Sequence, residues 1–197
     1  MKKAFIILIA TFMANSLFSQ NAETDKTALL IIDVQDFYFS GGKSELVAPQ
    51  AAADKAALLL AYFRKNGLPV IHIKHDSKSQ SDIQKTVTPI EEEKIITKKE
   101  VSSFNGTDLN DYLKGLGVKK LVICGMQTHM CVEGAVRAGY DLGYKITLVH
   151  DACATRDLKW DDEVIPAKMV HLSTLSTLKS YAKVVSVEEY LSAEQKE

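Results

Sequence analysis

Thr27-Ala-Leu-Leu-Ile-Ile-Asp33 is an apolar run closed by an acid. From Ala28 to Ile32 no polar residue alternates with the apolar ones, so the run does not suit a strand with one wet face. It reads as a strand buried on both faces, the pattern of a parallel sheet. Further short apolar runs follow at Val70–Lys74, Lys94–Lys98, Leu121–Gly125, Lys145–His150 and Val184–Ser186. Helical patterns separate them. Pro49 to Lys65 is expected as a helix with Leu58, Leu59 and Tyr62 inward and Gly67 as its stop. Thr107 reads as the N-cap of a helix carrying Leu109, Tyr112, Leu113 and Leu116. Met130 to Leu142 forms another helix. In Ile165 to Tyr181, the residues Ile165, Met169, Leu172 and Leu175 recur at helical spacing. Strands alternating with helices give βαβ units. The expected fold is therefore α/β: a doubly wound three-layer sandwich with a six-stranded, mainly parallel sheet and helices on both faces.

The chain has 197 residues, 46% of them apolar and 25% charged, which suits one globular domain, expected over residues 27–190. Twenty-four basic residues face 25 acidic ones, and only Arg64, Arg137 and Arg156 are arginines. No basic stripe exists, which argues against nucleic acid as a partner. The head of the chain is different. Met1-Lys-Lys3 precedes an apolar run, Ala4 to Ala14, and then Asn15-Ser-Leu-Phe-Ser-Gln20. These read as the three regions of a signal peptide spanning 1–19, with cleavage after Ser19. The apolar run is shorter than the roughly 20 residues a membrane-spanning helix needs. A periplasmic or secreted protein with no membrane association after cleavage is expected. Three cysteines are an odd number, so at least one thiol is unpaired within the chain.

In open parallel sheets, ligands sit beyond the carboxyl ends of the strands. Three reactive residues fall there: Asp33 after the first strand, Lys98 at the end of the third, and Cys131 in the first turn of the helix after the fourth. Gln35 lies two residues beyond Asp33, on the same side. A helix N-terminus and a nearby lysine lower a thiol pKa, whereas Asp33 opposes them; an acidified Cys131 is the net expectation. There is no G-x-G-x-x-G after the first strand and no G-x-x-x-x-G-K, so no nucleotide cofactor is expected.

The segments Leu30-Ile-Ile-Asp33-Val-Gln35, Thr97-Lys98-x-x-x-Ser102-Ser-Phe104-x-Gly106-Thr-Asp-Leu109 and Ile123-Cys-Gly125-Met-Gln-Thr128-x-x-Cys131-Val132, with Asp151-Ala152, resemble the isochorismatase-like cysteine hydrolases. The resemblance covers residues 27 to about 190. It implies a catalytic trio of Asp33, Lys98 and Cys131, with Lys98 chosen over Lys99 because it lies six residues before Phe104. It also implies a cis peptide at Met126–Gln127 and an oxyanion hole built from the N–H groups of Gln127 and Cys131. The implied reaction is hydrolysis of a small amide or carbamoyl substrate. Asp33 takes the thiol proton, Lys98 steadies the charges, and the thiolate attacks the acyl carbon to give a thioester. The family's vinyl-ether-cleaving members generally lack the cysteine, so Cys131 favours C–N cleavage.

Gln35, Phe37, Phe104, Met130 and Trp160, together with Tyr38, are candidates to line the substrate pocket. The related nicotinamidases carry a metal-binding motif near the second strand. Here that stretch is His72-Ile-Lys-His75-Asp76, and histidines three apart on a strand face opposite sides. No metal is expected, and His75 is read as a rim residue. Cys124 reads as core, and a Cys124–Cys153 disulfide is not expected. A homo-oligomer acting on a small molecule completes the reading. The alternative is a non-catalytic or redox-sensing protein of the same fold.

Overall fold

The computed structural model describes residues 25–76 and 81–195; the expected signal peptide lies outside the described residues. The strands are β1 (Lys26–Ile32), β2 (Val70–His75), β3 (Lys94–Lys98), β4 (Val118–Met126), β5 (Lys145–Ala154), β6 (Leu158–Trp160), β7 (Glu163–Ile165) and β8 (Lys183–Val185). The helices are α1 (Pro49–Lys65), α2 (Leu109–Gly115), α3 (Glu133–Asp141), α4 (Ala167–Leu178) and α5 (Val187–Glu194). Six strands form one sheet in the order β3-β2-β1-β4-β5-β8. Every pair in it is parallel. β6 and β7 form a separate antiparallel ribbon.

Residues Ala28 to Ile32 are each no more than 1% exposed, which requires cover on both faces of the sheet. α1 packs against α5, and α3 against α4. Pro49 starts α1 where a missing N–H costs nothing, and Arg64 and Lys65 end it where positive charge suits the helix dipole. The inner face of α1 is Ala52, Ala53, Ala56, Leu59, Leu60 and Phe63. Leu58 is not on that face; it is half-exposed, because one residue rotates a helix by about 100°.

α4 corrects the sequence reading in the same way. Its buried side is Ala167, Val170, Thr174, Leu175 and Leu178, while Met169 and Leu172 point outward. Ile165 is not in the helix at all but ends β7. A helix that is apolar on more than one side does not declare its inner face through periodicity. α2 has Asp108 rather than Thr107 at its N-cap, although the Thr107 hydroxyl does accept a hydrogen bond from Leu109 N–H at 3.3 Å.

Strand order runs one way through β1-β2-β3 and the other way through β4-β5-β8, so the switch lies between β1 and β4. Gly125 governs how closely those two strands approach. It pairs with Ile32, and a Cβ there would lie 2.0 Å from the Ile32 carbonyl oxygen. Its φ of +125° also disfavours any side chain. In open α/β sheets such a switch, at the carboxyl ends of the strands, is where ligands bind.

Candidate active site

Asp33 is the first residue beyond β1 and is fully buried, with φ of +47°, in the left-handed region that Asp tolerates better than most residues. Its N–H is held by the Ile73 carbonyl at 3.0 Å. Lys98 ends β3, two strands away from β1, in register with His75 of β2. Its side chain passes over the end of β2 and places Nζ 2.8 Å from Asp33 Oδ2, both side chains having no exposure. From there Lys98 Nζ donates to Cys131 Sγ at 3.2 Å and to the Glu100 carbonyl at 3.1 Å. It also stands 3.2 Å from His75 Nδ1. An ammonium carries three hydrogens, and this one has four polar neighbours within 3.2 Å. His75, read from sequence as a rim residue, is thus a direct neighbour of the lysine.

Cys131 lies in a π-helical turn, Thr128–Val132, that precedes α3. The Gln127 carbonyl accepts from Met130 N–H at 3.0 Å and Val132 N–H at 3.2 Å, two bonds that straddle Cys131. The turn is tied down from outside. Thr128 Oγ1 donates to the Ala154 carbonyl at 3.2 Å and lies 2.9 Å from His171 Nδ1. His129 Nδ1 is 2.6 Å from Thr155 Oγ1. The Met126–Gln127 peptide is cis. So Asp33, Lys98 and Cys131, from three separate segments, share one buried cluster.

Burial pushes the Cys131 thiol up to about 12, and the Asp33 charge adds to this; Lys98 pulls the other way without prevailing. This corrects the expectation of an acidified thiol. Cys131 is only 6% exposed, and its sulfur loses more by desolvation than the lysine returns. The Asp33 carboxyl is likewise raised by burial, against the opposing pull of Lys98 and a hydrogen bond from Cys131. At neutral pH the cluster therefore holds a protonated thiol beside a carboxyl group whose proton affinity exceeds the ordinary one. Such a pair is able to exchange a proton when the sulfur forms a bond, rather than before it.

The expected pocket residues divide. Phe37 packs on Tyr38 with ring centroids 4.1 Å apart, and it lines a surface depression with Asp36, Gly42 and Ser81. Met130 is partly exposed beside Cys131. Gln35 is a brace rather than a pocket wall. Its Oε1 accepts from His75 N–H at 2.7 Å, and its Nε2 donates to the Ser81 carbonyl at 2.9 Å. Phe104 stacks on Tyr144, centroids 6.0 Å apart. Tyr144 leads into the amino end of β5, away from the carboxyl ends where Asp33 lies. Trp160 is 73% exposed on the β6–β7 ribbon. Neither of these two aromatics joins the buried cluster, because ring size and proximity in sequence do not reveal which end of the sheet a loop serves.

Tyr38 does belong near it. It is buried, its hydroxyl takes a hydrogen bond from Gln127 Nε2 at 3.4 Å, and its phenol, raised to about 12 chiefly by burial, also feels the charges of Asp33 and Cys131. His72 is drawn elsewhere, with Nε2 2.9 Å from Glu93 Oε2. Among the described residues no group of three or more His, Cys, Asp and Glu side chains is placed to hold a metal ion. The three cysteines are all free and buried.

Residues 27–188 match the model of the isochorismatase domain family. The uncharacterised isochorismatase family protein YddQ of Bacillus subtilis is 41% identical over 177 residues, 84% of this chain and 98% of that one. Streptothricin hydrolase of Streptomyces noursei is 32% identical over 156 residues, 72% of this chain and 55% of the hydrolase. The crystal structure of an isochorismatase from Pseudomonas putida KT2440 superposes with a TM-score of 0.79 at 34% identity, covering 83% of this chain and 89% of that one.

Proposed function

The chain belongs to the isochorismatase family of hydrolases, and from that premise we propose that it cleaves a small amide or carbamoyl C–N bond through a thioester on Cys131. The observation that carries this reading is the buried contact of Lys98 Nζ with both Asp33 Oδ2 and Cys131 Sγ. In the proposed cycle the thiol proton passes to Asp33 while sulfur bonds to the acyl carbon, and Lys98 stabilises the charges. The oxyanion is received by the N–H groups of Gln127 and Cys131, each such donor contributing about 2.7–4 kcal/mol in comparable sites. Asp33 then gives its proton to the departing nitrogen and afterwards takes one from the water that cleaves the thioester. A carboxyl with raised proton affinity suits both halves of this exchange.

The test is ammonia release from a panel of primary amides, carbamoyl compounds and cyclic amides, together with mass spectrometry for an acyl adduct on Cys131. Wild-type protein is expected to turn over at least one member and to trap its acyl group; Cys131→Ala and Cys131→Ser are expected to do neither. Undiminished turnover by Cys131→Ala would move the protein to a different chemistry.

The proposal extends to location and assembly. The reading of residues 1–19 makes the mature protein an exported one, starting at Gln20. N-terminal sequencing of protein from its native host checks this, and an intact Met1 would reject it. Self-association is supported by exposed apolar side chains on the ribbon and on α4: Trp160, Val164, Met169 and Leu172 are each about half or more exposed.

A further inference from the structure

Gln127 presents a buried acceptor that no described residue uses. The residue is 5% exposed, and its Oε1 has no hydrogen-bond partner among the described residues. Its Nε2 is engaged, donating to Tyr38 Oη at 3.4 Å. A buried acceptor without a donor loses its hydration with nothing in return. Such an atom is explained when a ligand supplies the missing hydrogen.

Resting on the thioester mechanism proposed above, we infer that Gln127 Oε1 accepts an N–H from the acyl side of the substrate, which makes the preferred substrate a carbamoyl compound, a substituted urea whose carbonyl keeps one free amino group. The placement follows from the four substituents around the attacked carbon. Sulfur and the departing nitrogen lie towards Cys131, Asp33 and Lys98. The oxyanion lies at the backbone of Gln127 and Cys131. In this reading the fourth substituent falls to the Gln127 carboxamide, which meets the buried Tyr38 hydroxyl. A methyl group there leaves Oε1 without a donor, whereas an amino group of nearly the same size supplies one. The bonds balance as in any acyl transfer. Sulfur–carbon forms, carbon–nitrogen breaks, and the thiol proton reaches the leaving amine through Asp33. Water then releases the carbamoyl group as carbamic acid, restoring the thiol; the acid decomposes to ammonia and carbon dioxide.

Two isosteric probe pairs test this near neutral pH. 4-Nitrophenyl carbamate and 4-nitrophenyl acetate differ only in an amino against a methyl group. 4-Nitrophenyl dimethylcarbamate and 4-nitrophenyl isobutyrate keep the same contrast without an N–H. Nitrophenolate release and the mass of the Cys131 adduct are read, and each rate is divided by that of the same ester with N-acetylcysteine. Wild-type protein is expected to favour the carbamate over the acetate about tenfold, the worth of one hydrogen bond. No such preference is expected in the dimethyl pair. Gln127→Met, which keeps length and loses the acceptor, is expected to bring the first ratio to about one; a ratio is used so that general effects on the turn cancel. A ratio unchanged by Gln127→Met, or a carbamate preference that persists in the dimethyl pair, would overturn the inference while leaving the thioester mechanism standing. Absence of any adduct on Cys131 with all four esters would instead remove the mechanism on which it rests. Where Gln127→Met does not fold, the dimethyl pair on wild-type protein decides alone.

Discussion

In the proposed cycle Asp33 takes the proton of the Cys131 thiol, yet its charge opposes formation of the thiolate. These two effects separate in a variant. Asp33→Asn keeps the shape, removes the repelling charge and leaves Lys98 unopposed beside the sulfur, so the thiol pKa is expected to fall from about 12. In the wild type, alkylation by iodoacetamide should be slow at pH 7 and should climb about tenfold per pH unit up to that value. In Asp33→Asn it should be at least tenfold faster at pH 7, while turnover falls by 100-fold or more for want of the base. Slower alkylation in the variant would show that Asp33 does not hold the thiol in its protonated form. At this scale the sequence singled out Asp33, Lys98 and Cys131, which the structure brings into one buried cluster, because an acid, a cation and a thiol at strand ends are each hard to place without a task. It misjudged the thiol's ionisation and overlooked the contact of His75 with Lys98. Both depend on burial and on side-chain reach across a neighbouring strand, which residue types do not encode.

Among the elements, β4 and its exit turn decide where Cys131 stands. The turn inherits its position from the pairing of Gly125 with Ile32, so the strand contact and the sulfur are mechanically linked. Gly125→Ala would drive a methyl group to 2.0 Å from the Ile32 carbonyl oxygen and force β1 and β4 apart. A loss of several kcal/mol is expected, in the upper range for single substitutions, read as a large drop in denaturant midpoint with activity lost in parallel. A variant with wild-type stability would mean that the strands tolerate a wider spacing than their packing indicates. The main sheet's elements were legible in the sequence through their apolar runs, and α1 and β3 have the bounds read there. The π turn before α3 was not, since an apolar helix start looks alike for α and π hydrogen bonding. α5 was missed although Ser186 and Glu189 form a capping box whose S-x-x-E spacing stands in the sequence. The β6–β7 ribbon is short, polar in part and exposed on both sides, so it lacks the alternation that marks a strand.

For the whole molecule, the chain's single tryptophan is a natural reporter. Trp160 is 73% exposed, so dilute monomer is expected to emit like indole in water. Self-association through the ribbon and α4 should shift that emission to shorter wavelength with rising concentration, in step with the mass found by sedimentation. Trp160→Lys should hold the protein monomeric without lowering its melting temperature, since the ring buries little within the chain. An oligomer of unchanged mass in Trp160→Lys would place the interface elsewhere. Among the described residues no helix is long and apolar enough to cross a membrane.

The position of Lys98 bears on how such a chain comes into being. Its ammonium reaches Asp33 only across the end of β2, and Cys131, 33 residues further along, arrives only when β4 closes against β1. Distant pairings of this kind form late, because loop-closure entropy is lost before the contacts that compensate it. A nascent or half-folded copy therefore carries Cys131 without Asp33 and Lys98 beside it. On the proposed mechanism, chemical competence would be acquired only at the end of assembly, and an incomplete copy would leave the amides around it untouched.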